Sequence, residues 1–289
     1  MAIQTATTGN LDNAQRIAIA ECRYTMEHNQ PCVELIEHMT LKKGEKTITV
    51  PKVAQMTAKD LVDGVDLVDT ADIGMTTLDL TTAEVGLKVI LTDKLVRQEN
   101  EDPFKIVGRQ MGDAMGRKKN RDTIALYAAL NGATTLGADD KLLTMQNLQA
   151  CISWATSNKL PAPVYIVHHP NAVAQCANDA AKAFGTYPMP VGLSAERLGN
   201  FYRVTVNGVA VFQTGDIDKI GAVDSGYGAI FSKAAMCVVE SLGFTTKRQE
   251  DISLRATEVV VLADYGLFEL DDLYGAPMRY EIGALSTSN

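Results

Sequence analysis

Cysteine is sparse and unpaired in this sequence: Cys22, Cys32, Cys151, Cys176 and Cys237 are scattered, odd in number and nowhere arranged as CxxC. That excludes a disulfide framework or a zinc cluster and leaves them as small buried hydrophobes. Positive charge is also in deficit. With 27 Lys and Arg against 35 Asp and Glu the net charge is −8, which excludes a protein that grips nucleic acid over most of its surface, because that task needs phosphates neutralised by cations. Long apolar runs are missing: stretches such as Val259 to Ala263 fall far short of the ~20 residues that cross a bilayer. The first ten residues are Thr-rich, with neither a basic start nor an apolar block, so no secretory signal is read and synthesis in a cytoplasm is expected.

Recognisable chemistry is scarce too. There is no GxSxG elbow and no hydrolase-like order of Ser, His and acid. The stretch Gly221 to Gly228 lacks the Lys and the helix that a phosphate cradle requires, and reads as a flexible connection. His168 and His169 are adjacent at the end of a strand, so their side chains point apart and do not chelate one metal; strand-end packing or helix capping is the reading. His28 and His38 read as ordinary surface or hairpin positions. Asp216 and Asp218 read as a turn after a strand, and Asp139-Asp140 and Asp271-Asp272 as solvated loop charges. No catalytic residue, cofactor or metal is assigned, and the chain is not read as an enzyme.

What is present is an ordered chain of 289 residues, 46% hydrophobic and 21% charged, enough for one large domain or two ordinary ones. Leu11 to His28 reads as a helix stopped by Pro31. Val33, Leu35 and Met39, then the turn Lys42 to Glu45, then Ile48 and Val50 read as a hairpin. Between Ala58 and Arg97, Leu78 and Leu80, then Val85, Leu87, Val89 and Leu91, alternate with polar residues, which predicts a long two-stranded projection, marginal alone and supported by a neighbour.

Asp102-Pro103 starts a long helix: Phe104, Val107, Met111, Ala114 and Met115 recur at three- and four-residue steps, Ile124 and Tyr127 resume the pattern, and Asn131-Gly132 stops it. Arg109, Arg117, Lys118, Lys119 and Arg121 give this helix a basic middle, facing DNA, an acidic neighbour or simply water. A helix Thr144 to Asn158, a strand Val164 to Val167 and a helix Asn171 to Phe184 form a compact α/β unit, followed by a loop from Ala183 to Gly199. Asn207-Gly208 between Val204 to Val206 and Val209 to Phe212 predicts a two-residue hairpin. Strands are expected at Gly228 to Phe231, Met236 to Ser241, Phe244 to Arg248 and Glu258 to Ala263, with a return beginning at Tyr265-Gly266-Leu267.

The order of these elements resembles the major capsid proteins of tailed bacteriophages, which have the Hong Kong 97 type of fold. Gly44 to Pro51 and Thr57 to Leu61 resemble the family's approach to its extended loop, and Leu91 to Lys94 the step toward its spine helix. Val164 to Pro170 resembles the central strand of the axial domain, Gly208 to Gln213 a later axial strand, and Ala229 to Ala235 and Ala263 to Gly266 two further landmarks.

The resemblance implies an α+β, Hong Kong 97-like capsid fold with N-arm, extended β-loop, long spine helix in a peripheral domain, and axial α/β domain. The implied divisions are an N-arm at 1–59, an extended loop at 60–93, the spine at 94–132, the axial domain at 133–235, late peripheral strands at 236–262 and an axial return at 263–289. It further implies a virion protein, assembled in the host cytoplasm, that forms hexamers and pentamers in a shell. Inter-subunit contacts are expected at Leu78, Leu80, Val85, Leu87, Lys88, Val89, Arg117, Lys118 and Arg121. Partners would be packaged genomic DNA, held non-specifically, a portal and, because the arm is short, a separate scaffolding protein. The family's cross-links join a loop Lys to an Asn on a neighbour; Lys88 is the candidate donor, and no cross-link is expected. The rival readings are an encapsulin-like compartment and a soluble α/β enzyme with an unrecognised site.

Overall fold

The computed structural model of the chain describes residues 32–52, 60, 74–92, 103–184, 202–206 and 208–285. After a 3-10 turn at Val33–Leu35 come β1 (Glu37–Thr40), β2 (Thr47–Lys52), β3 (Thr76–Thr81) and β4 (Ala83–Thr92). Helix α1 (Pro103–Tyr127) follows, then β5 (Leu136–Gly137), α2 (Met145–Ser157), β6 (Val164–His168) and α3 (Pro170–Phe184). The second half is nearly all strand: β7 (Tyr202–Val206), β8 (Val209–Gln213), β9 (Ser225–Ser232), β10 (Met236–Asp251), β11 (Ala256–Glu269) and β12 (Gly275–Glu281).

Three sheets result, in the orders β1-β10-β11-β4, β5-β12-β9-β6-β8-β7 and β2-β3. Helix α1, about 37 Å long at 1.5 Å per residue, joins the first two. Its first half sets Phe104, Met111 and Met115 against Leu91, Val259 and Val261 of the four-stranded spine sheet. Its second half sends Ile124 and Tyr127 into the larger core around the six-stranded axial sheet, with Ile166, Ile230, Phe231 and Met278. The three- and four-residue spacing read from the sequence is thus one apolar stripe serving two cores.

The axial unit follows the sequence reading closely. Thr144 caps α2, its Oγ1 accepting from the Asn147 amide at 3.2 Å. Val206 pairs with Val209, and Gly208 has the positive φ that a two-residue hairpin needs. Strand β6 lies between β8 and β9, buried at Ile166, Val167 and His168.

Strand pairing corrects several expectations. β1 and β2 do not form a hairpin: β1 runs parallel to β10, while β2 pairs antiparallel with β3. The turn between them exists, with the Glu45 amide donating to Lys42 at 3.0 Å, but it passes the chain from one sheet to another. Nor do β3 and β4 form one projection. β3 closes the ribbon begun by β2, and β4 is the edge strand of the spine sheet, paired with β11 from Thr92↔Ala256 to Ala83↔Tyr265. Alternation fixes which face of a strand is buried and is silent about the partner.

Ser225 to Gly228 belong to β9 and are largely buried, so only the first part of the expected flexible connection is loop. Met236 to Ser241 and Phe244 to Arg248 are one strand with register shifts at Glu240/Leu242 and Leu242/Thr245. β11 likewise runs unbroken past Ala263 to Glu269, so the chain returns to the axial sheet at Gly275. The expected helix Leu11 to His28, most of the loop Ala183 to Gly199, residues 61–73 of the expected projection and the tail from Ser286 lie outside the described residues.

Candidate assembly interface

The β2–β3 ribbon is rooted on the face of the spine sheet opposite α1. Leu80 is fully buried there, and Leu78, Ile48 and Val50 pack with it against Cys237, Val239, Met39 and Phe268. Burying one such side chain contributes about 1.5–3 kcal/mol. The Thr81 carbonyl lies against Gly266, where a Cβ would collide with it. Thr49 Oγ1 donates to Asp79 at 2.7 Å across the strands, and Lys52 binds Asp271 at 2.9 Å. At the ends of the two strands away from this root, Pro51, Lys52, Thr76 and Thr77 are all exposed.

Leu78 and Leu80 therefore belong to one cluster, whereas Val85 and Val89 face α1 from β4 and belong to another. Leu87, on the same face as they are, remains 36% exposed. Lys88 points to the opposite face and binds Glu258 at 2.7 Å. The sequence grouped these residues on one projection; the fold distributes them over two faces and two sheets.

The basic middle of α1 is neutralised largely within the chain. Arg117 binds Asp113 at 3.0 Å and Lys118 binds Asp122, both one helical turn away. Arg121 lies 3.7 Å from Asp218. Lys119 is only 8% exposed, binds Glu240 of β10 and stands 5.5 Å over the Tyr265 ring. Of the three settings the sequence left open for this basic run, DNA, an acidic neighbour or water, none holds for Lys119, whose ammonium binds a partly buried acid of its own chain.

A polar joint fastens the start of the described chain. Asn120, fully buried in α1, accepts from the Cys32 amide at 3.2 Å and donates to the Asp216 carboxylate. Burial pushes the Cys32 thiol up to about 12. Asp216 is thus more than a turn residue: it helps tie the first described residues to the spine.

His168 is fully buried, its Nδ1 accepting from the His169 amide at 2.9 Å, and His169 Nδ1 accepts from Asn171 at the start of α3 at 3.2 Å. Strand-end packing and helix capping are the roles observed. Burial, with His169 beside it, lowers the His168 pKa to about 3. The acidic pairs are not merely solvated: Asp139 binds Arg279, Asp271 binds Lys52, and Asp272 accepts from the Gly132 amide at 2.8 Å. Sequence reasoning missed Lys52 and Asn120, whose partners lie too far along the chain for spacing to signal. Among the described residues no group of His, Cys, Asp and Glu is arranged to hold a metal, and no helix is long and apolar enough to cross a membrane.

No family model matches the chain, and no curated protein does. Solved structures do. A structure from Mycobacterium phage Che8 is 13% identical, with a TM-score of 0.63 over 81% of this chain and 84% of that one. The capsid of a native GTA particle is 12% identical, with a TM-score of 0.63 over 88% and 90%. The SrpI encapsulin of Synechococcus elongatus is 14% identical, with a TM-score of 0.62 over 91% and 92%. These likenesses span most of each chain: the chain has the Hong Kong 97 type of capsid fold.

Proposed function

We propose that the chain is a major capsid protein that self-assembles into the icosahedral head shell enclosing the double-stranded DNA genome of a tailed phage. The observation that carries this reading is the ribbon: its root is packed on the spine sheet through Leu80, while its far strand ends at Lys52 and Thr76 are exposed. A two-stranded ribbon is marginal by itself, and a neighbouring copy is the surface that completes it. Repeated heterologous contacts of one kind close into rings, and rings of axial domains at five-fold and six-fold centres make the wall.

In this reading, Leu87 and Lys88 on the edge strand β4, and Arg117, Lys118 and Arg121 on α1, carry the contacts between subunits, with Leu78, Leu80, Val85 and Val89 shaping the surface from beneath. The net charge of −8 suits a wall that lies beside packed DNA without binding it tightly. A scaffolding protein and a portal are the expected partners, and the virion is the expected location.

A second reading, an encapsulin-like compartment that stores enzymes, is favoured by the likeness to the Synechococcus shell. Purified particles decide between them. Nuclease-protected double-stranded DNA is the expected content, and a co-purifying enzyme without DNA overturns the phage assignment in favour of the compartment.

A further inference from the structure

The face of the spine sheet opposite α1 is covered over only part of its length. On β11, Phe268 and Gly266 lie beneath the root of the ribbon, and Leu262, Val260 and Glu258 continue the same row toward the β10–β11 turn, since alternate residues of a strand share a face. Beside them β4 contributes Gly86, Lys88 and Ile90, paired with Leu262, Val260 and Glu258 in turn. Val259 and Val261, which point the other way, are buried against α1. Val260, Leu262 and Ile90 are half-buried, and among the described residues no apolar cluster takes them in.

This strip is flat and its charge is paired. Gly86 has no side chain to raise, and Leu262 lies over it so closely that a Cβ at 86 would stand 2.7 Å from Leu262 Cδ2. Lys88 is bound to Glu258 at 2.7 Å beside Val260. An apolar sheet face is stable when a second layer covers it, and the chain's own ribbon runs the wrong way to do so. The ribbon crosses β11 at Gly266, where the Thr81 carbonyl lies, and its far strand end is held at Asp271 through Lys52. From root to tip it therefore heads for the end of β11, away from Val260.

We infer that the strip formed by Gly86, Ile90, Val260 and Leu262 receives the ribbon tip, residues 53–75, of a second copy of the chain. This rests on the shell reading and deepens it by naming the receiving surface. Between Lys52 and Thr76 lie about 23 residues, two arms of about 11 residues that each span at most about 36 Å, against about 20 Å of sheet from Glu258 to Asp264. The ribbon root shows that this same face takes two extended strands through Ile48, Val50, Leu78 and Leu80. The tip repeats that chemistry in its sequence at Leu61, Val65, Leu67 and Ile73, and Met75, on the returning arm, is 61% exposed. Each copy then offers one outgoing tip and one receiving strip at different places on its surface, a heterologous contact that closes into a ring when repeated.

The test is photo-crosslinking in particles assembled from the full-length chain with its neighbouring reading frames, a minority of subunits carrying benzoylphenylalanine in place of Val260. Illumination should give dimers on a denaturing gel, with the link mapped by mass spectrometry to residues 53–75 of the other copy. Links within one copy, links to any other segment, or no link in closed shells overturn the docking and leave the shell reading standing; a chain that never forms shells overturns both. Val260→Arg gives a second readout. The isolated subunit should melt within a few degrees of the wild type while the yield of closed shells falls about tenfold or more, and a normal yield contradicts the inference. If Val260→Arg does not fold, the photo-link decides alone.

Discussion

The Thr81 carbonyl occupies the space beside Gly266 that any side chain at 266 would fill, and this approach lets β3 cross closely over β11. Gly266 pairs with Val239, and both Val239 and the neighbouring Phe268 pack against the ribbon. The glycine at this position sets how close the ribbon root lies to the sheet.

Gly266→Ala should therefore lift the ribbon root and destabilise the protein by about 1–3 kcal/mol, the usual range for overpacking. Urea denaturation measures the loss, and hydrogen exchange locates it. Faster exchange is expected in Thr47 to Lys52 and Thr76 to Thr81, with β6 and β9 unchanged. Uniform acceleration across both sheets would mean that the glycine serves general folding.

The axial sheet should weaken in acid through His168. In the unfolded chain this imidazole takes up a proton near pH 6.5, whereas in the folded protein burial delays protonation to about pH 3. Its contribution is complete above pH 6.5 and drains away as pH falls toward 3, by about 1.4 kcal/mol per pH unit. Denaturation midpoints from pH 7 to pH 4 should fall more steeply for the wild type than for His168→Gln, and equal slopes would remove His168 from the explanation.

The charges on α1 should differ sharply in worth. Lys119→Met leaves Glu240 without its cation and is expected to cost about 1–3 kcal/mol, discounted from a fully buried pair because Glu240 is partly exposed. Arg117→Ala removes only an exposed pair one turn long and should stay within about 0.5 kcal/mol. Equal effects in denaturation would contradict the assignment of Lys119 to the core.

Asn120→Ala removes both the acceptor for the Cys32 amide and the donor to Asp216. A buried amide and a partly buried carboxylate are left unsatisfied, at a cost of about 2–4 kcal/mol. The first described residues should then become susceptible to proteolysis near Cys32 while α1 keeps its protection. Unchanged cleavage kinetics would show that other contacts hold this segment.

The sequence made the axial unit legible because its signals are local. Thr144 as a cap, Gly208 in a two-residue turn and the apolar steps of α1 each act within a few residues, and the structure places all three as expected. Order of elements was also legible, and it pointed to the fold. Partnership of strands was not: the alternation in β3 and β4 is equally compatible with a hairpin and with two separate sheets, and the partners that decide, β2 for β3 and β11 for β4, are not signalled by either strand. The basic run on α1 looked like a patch because Glu240 and Asp218, which bind Lys119 and Arg121, lie on remote segments.

Electron microscopy of the full-length chain, expressed with its neighbouring reading frames, tests the central claim most directly. Closed icosahedral shells with axial domains clustered at five-fold and six-fold positions, and each ribbon lying on an adjacent subunit, are the predicted result. A discrete monomer or dimer under every condition, with no closed shell, would contradict it.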